Sequence, residues 1–173
     1  MTSILFTMAF VAITTFSGGT KPVDSNHFLL HGKIMEINPT AMQESAVDNS
    51  QVIVMQDNEL YVVFNSDEKG KYEFNLPVNH NYTIIYGSQS FVVKKVEINA
   101  HDLSKSRYGH NVKLDLGLFK SVEGVDFSFL EEPIAKFQFE PEFGKIAPDE
   151  DYSFQMSKRM RKCFKKIAKT TGA

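Results

Sequence analysis

From residue 27 onward the chain alternates apolar and polar side chains in short runs separated by turn clusters. That period of two predicts half-buried β-strands rather than βαβ units. The runs fall at residues 28–37, 51–55, 60–65, 71–76, 82–86, 91–98, 111–119 and 135–140. Leu60, Val62 and Phe64 are expected to share one face, as are Tyr72, Phe74 and Leu76, while Val112, Leu114 and Leu116 alternate with Lys113 and Asp115. A sheet with one dry and one wet face requires this alternation. Residues 65–70 (NSDEKG) and 76–81 (LPVNHN) read as hairpin loops, the first with Gly70 where a positive φ is wanted. Residues 38–50 are longer and polar, and read as a crossover or edge loop between sheets.

Beyond residue 148 the period lengthens to that of a helix. Asp149 is the expected N-cap, Glu150 and Asp151 face the positive end of the helix dipole, and Gly172 is the expected stop. Tyr152, Met156, Met160, Cys163 and Ile167 fall on one apolar stripe with Phe164 at its edge. Lys158, Arg159, Arg161, Lys162, Lys165, Lys166 and Lys169 occupy the remainder and form a candidate docking face. The sequence leaves open whether the apolar stripe packs on the strands or docks elsewhere.

With 42% hydrophobic and 23% charged residues the chain is close to the globular average, which argues against wholesale disorder and against many membrane spans. Fifteen Phe and six Tyr supply the material for strands. The formal charge of -2 argues against a nucleic-acid binder, but it hides an asymmetry: the last nineteen residues, 155–173, carry seven basic side chains and no acidic one.

The first twenty residues carry no charge, and residues 4–16 (ILFTMAFVAITTF) form an apolar block followed by Ser17, Gly18 and Gly19. A spanning helix needs about 20 apolar residues, so this block reads as a secretory signal peptide, residues 1–19, cleaved after Gly19. A lipoprotein would need a cysteine at the cleavage site, and the single cysteine is Cys163. The expected product is periplasmic or secreted, with no membrane span after cleavage. Lacking an intrachain disulfide, it must hold itself together by packing.

The order of the strand block resembles a known family. Gly32 in the first strand is followed by Gln51-Val52-Ile53-Val54, by Gly70-Lys71-Tyr72-Glu73-Phe74-Asn75-Leu76-Pro77, by Tyr82-Thr83-Ile84, and by Phe91-Val92-Val93-Lys94-Lys95-Val96. This succession resembles the carboxypeptidase regulatory-like domains, which are transthyretin-like (prealbumin-type) β-sandwiches. The family's glycine-tyrosine step is replaced here by Gly87-Ser88-Gln89-Ser90-Phe91. Residues 123–137 look like small exported proteins of Bacteroidota that carry this sandwich with a C-terminal extension. The resemblance covers about residues 27–145. It implies a mainly β chain: an antiparallel Greek-key sandwich of seven to eight strands at residues 20–145, with a basic amphipathic α-helix at 146–173. The related hydrolases of the purine pathway end in a Tyr-Arg-Gly-Ser type tail. This chain ends Lys169-Thr170-Thr171-Gly172-Ala173, so no catalytic residue carries over.

Catalytic and metal-binding patterns are weak. His27 and His31 are four apart, yet in a strand that places them about 13 Å apart along the chain, too far for one metal to bridge easily. His80, His101 and His110 read as loop or turn histidines. Glu131-Glu132, Glu140/Glu142 and Asp149/Glu150/Asp151 are the carboxylate groupings, of which the last is explained by the helix start. No cofactor or metal is expected. The sequence therefore predicts a non-enzymatic, exported binding or structural module of the bacterial cell envelope. It would act through protein-protein contacts with an envelope protein, or dock an anionic surface. The alternative is an extracytoplasmic hydrolase or carbohydrate-active protein using the 38–50 loop and the surface acids.

Overall fold

The computed structural model describes residues 26–38, 44–103 and 111–172. The expected signal peptide, part of the 38–50 loop and His110 lie outside the described residues.

The architecture is a mainly β sandwich of two sheets with one C-terminal helix, as the periodicity predicts. The first sheet is built on the long strand β1 (His27–Ile37). Strands β5 (Lys71–Pro77) and β2 (Glu44–Ala46) pair with β1 antiparallel, whereas β8 (Asn111–Lys113) and β9 (Leu116–Leu118) run parallel to it. The second sheet contains β3 (Gln51–Gln56), β4 (Glu59–Asn65), β6 (Asn81–Gly87), β7 (Lys94–Asn99), β10 (Ala135–Glu140) and β11 (Lys145–Pro148), in the order β11-β10-β7-β6-β3-β4. Its pairs are antiparallel except β7 with β10. The sandwich thus has eleven strands among the described residues and three parallel pairings, more strands and less uniform direction than the sequence predicts. Two of the added strands, β2 and β11, are three and four residues long, too short for alternation to register.

Two loops take a different role from the expected one. Residues 65–70 join β4 to β5, and residues 78–80 join β5 to β6, yet β5 belongs to the first sheet and β4 and β6 to the second. Both are therefore corners between the sheets rather than hairpin turns. Period two marks a strand's buried face but not whether the next strand pairs beside it or opposite it. A tight hairpin lies instead at Asp57-Asn58, both at positive φ (50° and 69°), between β3 and β4. Gly70 does hold a positive φ of 72°, and a Cβ there would stand 2.2 Å from the Ile34 carbonyl oxygen.

The inner faces meet in one apolar core. Phe28, Leu30, Ile34, Tyr72, Leu76, Val112, Leu114 and Leu116 come from the first sheet, and Val52, Val54, Tyr82, Ile84, Tyr86, Val96 and Ile98 from the second. At its centre the Tyr72 hydroxyl donates to the Leu114 carbonyl oxygen (2.5 Å) and lies 3.0 Å from the Tyr86 hydroxyl. Gly32 makes this possible, because a Cβ there would meet the same Leu114 oxygen at 1.9 Å.

A second, smaller core joins the helix to the sandwich. Helix α1 (Glu150–Thr171) starts as expected, with Asp149 accepting from the Tyr152 backbone N–H, and ends at Gly172 in the left-handed region. Its apolar stripe packs Cys163, Ile167, Met160 and Phe164 onto Phe119, Leu130, Val92, Phe127 and Ile134. A short 3-10 helix, Ser128–Glu131, carries Leu130 into this cluster. Tyr152 ties the helix start down, donating to the Pro133 carbonyl oxygen at 2.6 Å. No helix among the described residues is long and apolar enough to cross a membrane.

Candidate docking face

Five of the seven cations of α1 come to the outward side of the helix because its opposite side is consumed by packing. Met156, Cys163 and Ile167 are buried. Since 100° separates successive helical residues, the outward stripe opposite them carries Lys158, Arg161, Lys162, Lys165 and Lys169. Arg161, Lys162, Lys165, Lys166 and Lys169 are all exposed. Among the described residues, no carboxylate lies within 4.0 Å of any of these five, nor of Lys158.

The structure removes one member from the expected set. Arg159 grips Glu132 in a two-pronged pair, Nη1 to Oε2 at 2.7 Å and Nη2 to Oε1 at 2.9 Å, with its guanidinium 5.3 Å over the Phe129 ring. That hydrogen-bonded pairing holds the Glu132 carboxyl below its ordinary range and raises Arg159. Arg159 therefore fastens the helix to the segment beneath it and is not a free cation. The partners are 27 positions apart, so no local spacing signals them.

One aromatic residue on the helix, Phe154, goes beyond the sequence reading. Phe154 is 60% exposed on the outward side, and the Lys158 ammonium sits 4.0 Å from its ring centroid. Helical geometry alone carries this signal, since Phe154, Lys158, Arg161 and Lys165 follow an i, i+4, i+7, i+11 series. Phe164 faces inward instead and meets Phe119 edge-on at 5.1 Å. Burial pushes the Cys163 thiol up, which disfavours its thiolate.

Lys94 links the two cores. It is 4% exposed, donates to the Gly117 carbonyl oxygen, and stands 4.8 Å over the Phe119 ring. Burial pulls its ammonium down to about 8.

The other singled-out residues are dispersed. His27 and His31 lie on β1, opposite Pro77 and Glu73, with His31 Nε2 2.7 Å from Asn111 Oδ1. His80 Nδ1 lies 2.6 Å from Asp57 Oδ2, tying the β3–β4 turn to the corner after β5. The Asn81 backbone N–H and then His80 lower the Asp57 carboxyl. The His101 backbone N–H donates to Asn99 Oδ1. Glu140 accepts from Gln138 on the same strand, and Asp149 is spent as the helix cap. No three metal-ligating side chains converge among the described residues.

No protein-family model matches the chain, and no curated protein is similar to it. Solved structures that resemble it include a 3-chlorocatechol 1,2-dioxygenase from Rhodococcus opacus 1CP, at 7% identity and a TM-score of 0.40 over 57% of this chain and 62% of that one. The Bacillus anthracis TIE protein is similar at 16% identity and a TM-score of 0.39, over 58% of this chain and 20% of that one. A catechol 1,2-dioxygenase from Acinetobacter sp. ADP1 is similar at 13% identity and a TM-score of 0.40, over 63% and 57% of the two chains. The chain thus spans less than two thirds of each of these proteins. The expectation that the chain is not an enzyme is corrected here: two of these similar structures are dioxygenases, and the exclusion of catalysis is withdrawn. At such low identity and TM-score the likeness brings no activity, substrate or metal to this chain.

Proposed function

We propose that the protein is an exported binding or structural module of the bacterial cell envelope, a carboxypeptidase regulatory-like sandwich that docks a negatively charged partner through the outer face of α1. The observation that carries this reading is the pairing of an anchored helix with unpartnered charge. The inner stripe is fixed by the Phe119–Leu130 cluster and by the Arg159–Glu132 clamp. On the outer side, Arg161, Lys162, Lys165 and Lys169 have no carboxylate near them among the described residues. Cations concentrated on one rigid face raise the local density of anionic partners and steer their approach. The reading of residues 1–19 as a signal peptide supports an encounter outside the cytoplasm, in the periplasm or the medium.

Cell fractionation tests the reading. N-terminal sequencing of the extracytoplasmic fraction is expected to find a chain beginning near Thr20. Association with the envelope is expected to weaken with salt and to be lost in an Arg161→Glu, Lys165→Glu double variant. Association that ignores both salt and the reversal would overturn the proposal.

A further inference from the structure

Charge sign alone does not name a partner, but the kind of cation and its neighbours do. Resting on the docking reading above, we infer that the partner is the phosphate headgroup layer of an anionic lipid bilayer, with Phe154 entering the interface beside the cations of α1.

Three observations favour lipid phosphate over an acidic protein. The first is the identity of the cations. Four of the five on the outward stripe are lysines, Lys158, Lys162, Lys165 and Lys169, with Arg161 the exception. Protein interfaces are enriched in arginine and depleted in lysine, because the planar guanidinium forks onto a carboxylate whereas an ammonium is a hydrated point charge on a mobile stem. Arg159 and Glu132 show that fork inside this molecule, and it is already taken. A layer of phosphates at no fixed spacing asks only for point charges.

The second observation is layout. From Phe154 to Lys169 the face runs along one straight helix, about 22 Å at 1.5 Å per residue. No acidic side chain interrupts residues 155–173. A line of charge on a convex helix can touch a flat sheet of headgroups along its whole length.

The third is Phe154 itself. A phenyl ring left 60% exposed, with Lys158 against its face and the acids Glu150 and Asp151 one turn before it, offers apolar area and positive charge at the same point. The bilayer boundary presents the complement, acyl chains just beneath phosphates. The mode differs from that of an ordinary surface-seeking helix, whose apolar face sinks into the lipid. Here that face is occupied by the sandwich, so α1 lies against the membrane, held by charge with one aromatic contact.

Sedimentation of the protein with vesicles of phosphatidylcholine, with and without phosphatidylglycerol, tests this. Binding is expected only with phosphatidylglycerol and is expected to weaken with salt, each basic residue strengthening it about fivefold, the equivalent of about 1 kcal/mol. Lys162→Glu with Lys165→Glu should weaken it more than about tenfold with thermal unfolding unchanged. Phe154→Ala should weaken it several-fold while leaving the salt slope intact. Failure to bind these vesicles would overturn the inference. If envelope association then remained salt-sensitive and disappeared when the membranes were stripped with protease, the partner would be an acidic protein and the docking reading would stand. If that association were also absent, both would fall. Salt-insensitive vesicle binding that survives the charge reversal would arise elsewhere on the chain and would likewise overturn the inference.

Discussion

Tyr72 and Lys94 are the two buried polar side chains on which most depends, and each has a measurable signature. The Tyr72 hydroxyl serves the Leu114 carbonyl and the Tyr86 hydroxyl at once. Tyr72→Phe keeps the ring but leaves both short of a partner, so urea denaturation should show a loss of about 1–3 kcal/mol. Leu76, fully buried, should cost about 2–5 kcal/mol when truncated to Ala. Lys94 makes a pH prediction. Its folded value of about 8 lies below the ordinary lysine value of 10.5. Between those values the unfolded chain binds the extra proton, so stability rises as pH goes from about 8 toward 9.5. Above about 10 the buried Tyr72, Tyr82 and Tyr86, all raised by burial, act the other way, losing stability as their unfolded counterparts ionise. Denaturation of wild type and Lys94→Met at pH 7.5 and 9.5 should show the rise only in the wild type; equal slopes would mean the ammonium is not buried. The inward side of Tyr72 was legible from alternation, but the burial of Lys94, on the same face of β7 as Val96 and Ile98, was not, because a charged residue reads as a wet position wherever it falls.

At the scale of elements, legibility followed how local the determining contacts are. Helix α1 could be read nearly to the residue, since Asp149, the apolar stripe and Gly172 act within one or two turns. Asp149→Ala, which removes the bond to the Tyr152 N–H, should cost about 1 kcal/mol by thermal denaturation. Ile167→Asp should destabilise the whole domain by placing an unpaired charge in the small core, whereas Arg161→Glu should stay within about 0.5 kcal/mol. Strand β4 shows the opposite case. Leu60 was expected on the inner face with Val62 and Phe64, but it is 63% exposed. The pairing moves from Val54 with Val62 to Met55 with Leu60, so Tyr61 is an extra residue, and one extra residue inverts the faces beyond it. A bulge depends on the neighbouring strand and leaves no mark on period two. The inter-sheet corners at 65–70 and 78–80 were misread for the same reason, because pairing partners are chosen across the fold.

In the whole molecule α1 has two faces: one completes the small core, and the other carries the cations proposed to meet a negatively charged surface. The mainly β sandwich and its helix were visible in the sequence, as was the basic face. The Arg159–Glu132 clamp and the bridge that Lys94 makes between the cores were not, because each joins residues far apart in the chain. Docking through the outer face requires that the inner face be already in place before any partner arrives. Hydrogen exchange of the free protein tests this most directly. The backbone amides of residues 156–167 are expected to exchange as slowly as those of the central strand β6, with their protection unchanged by Arg161→Glu with Lys165→Glu. Exchange of those amides within seconds, while β6 stays protected, would contradict this expectation.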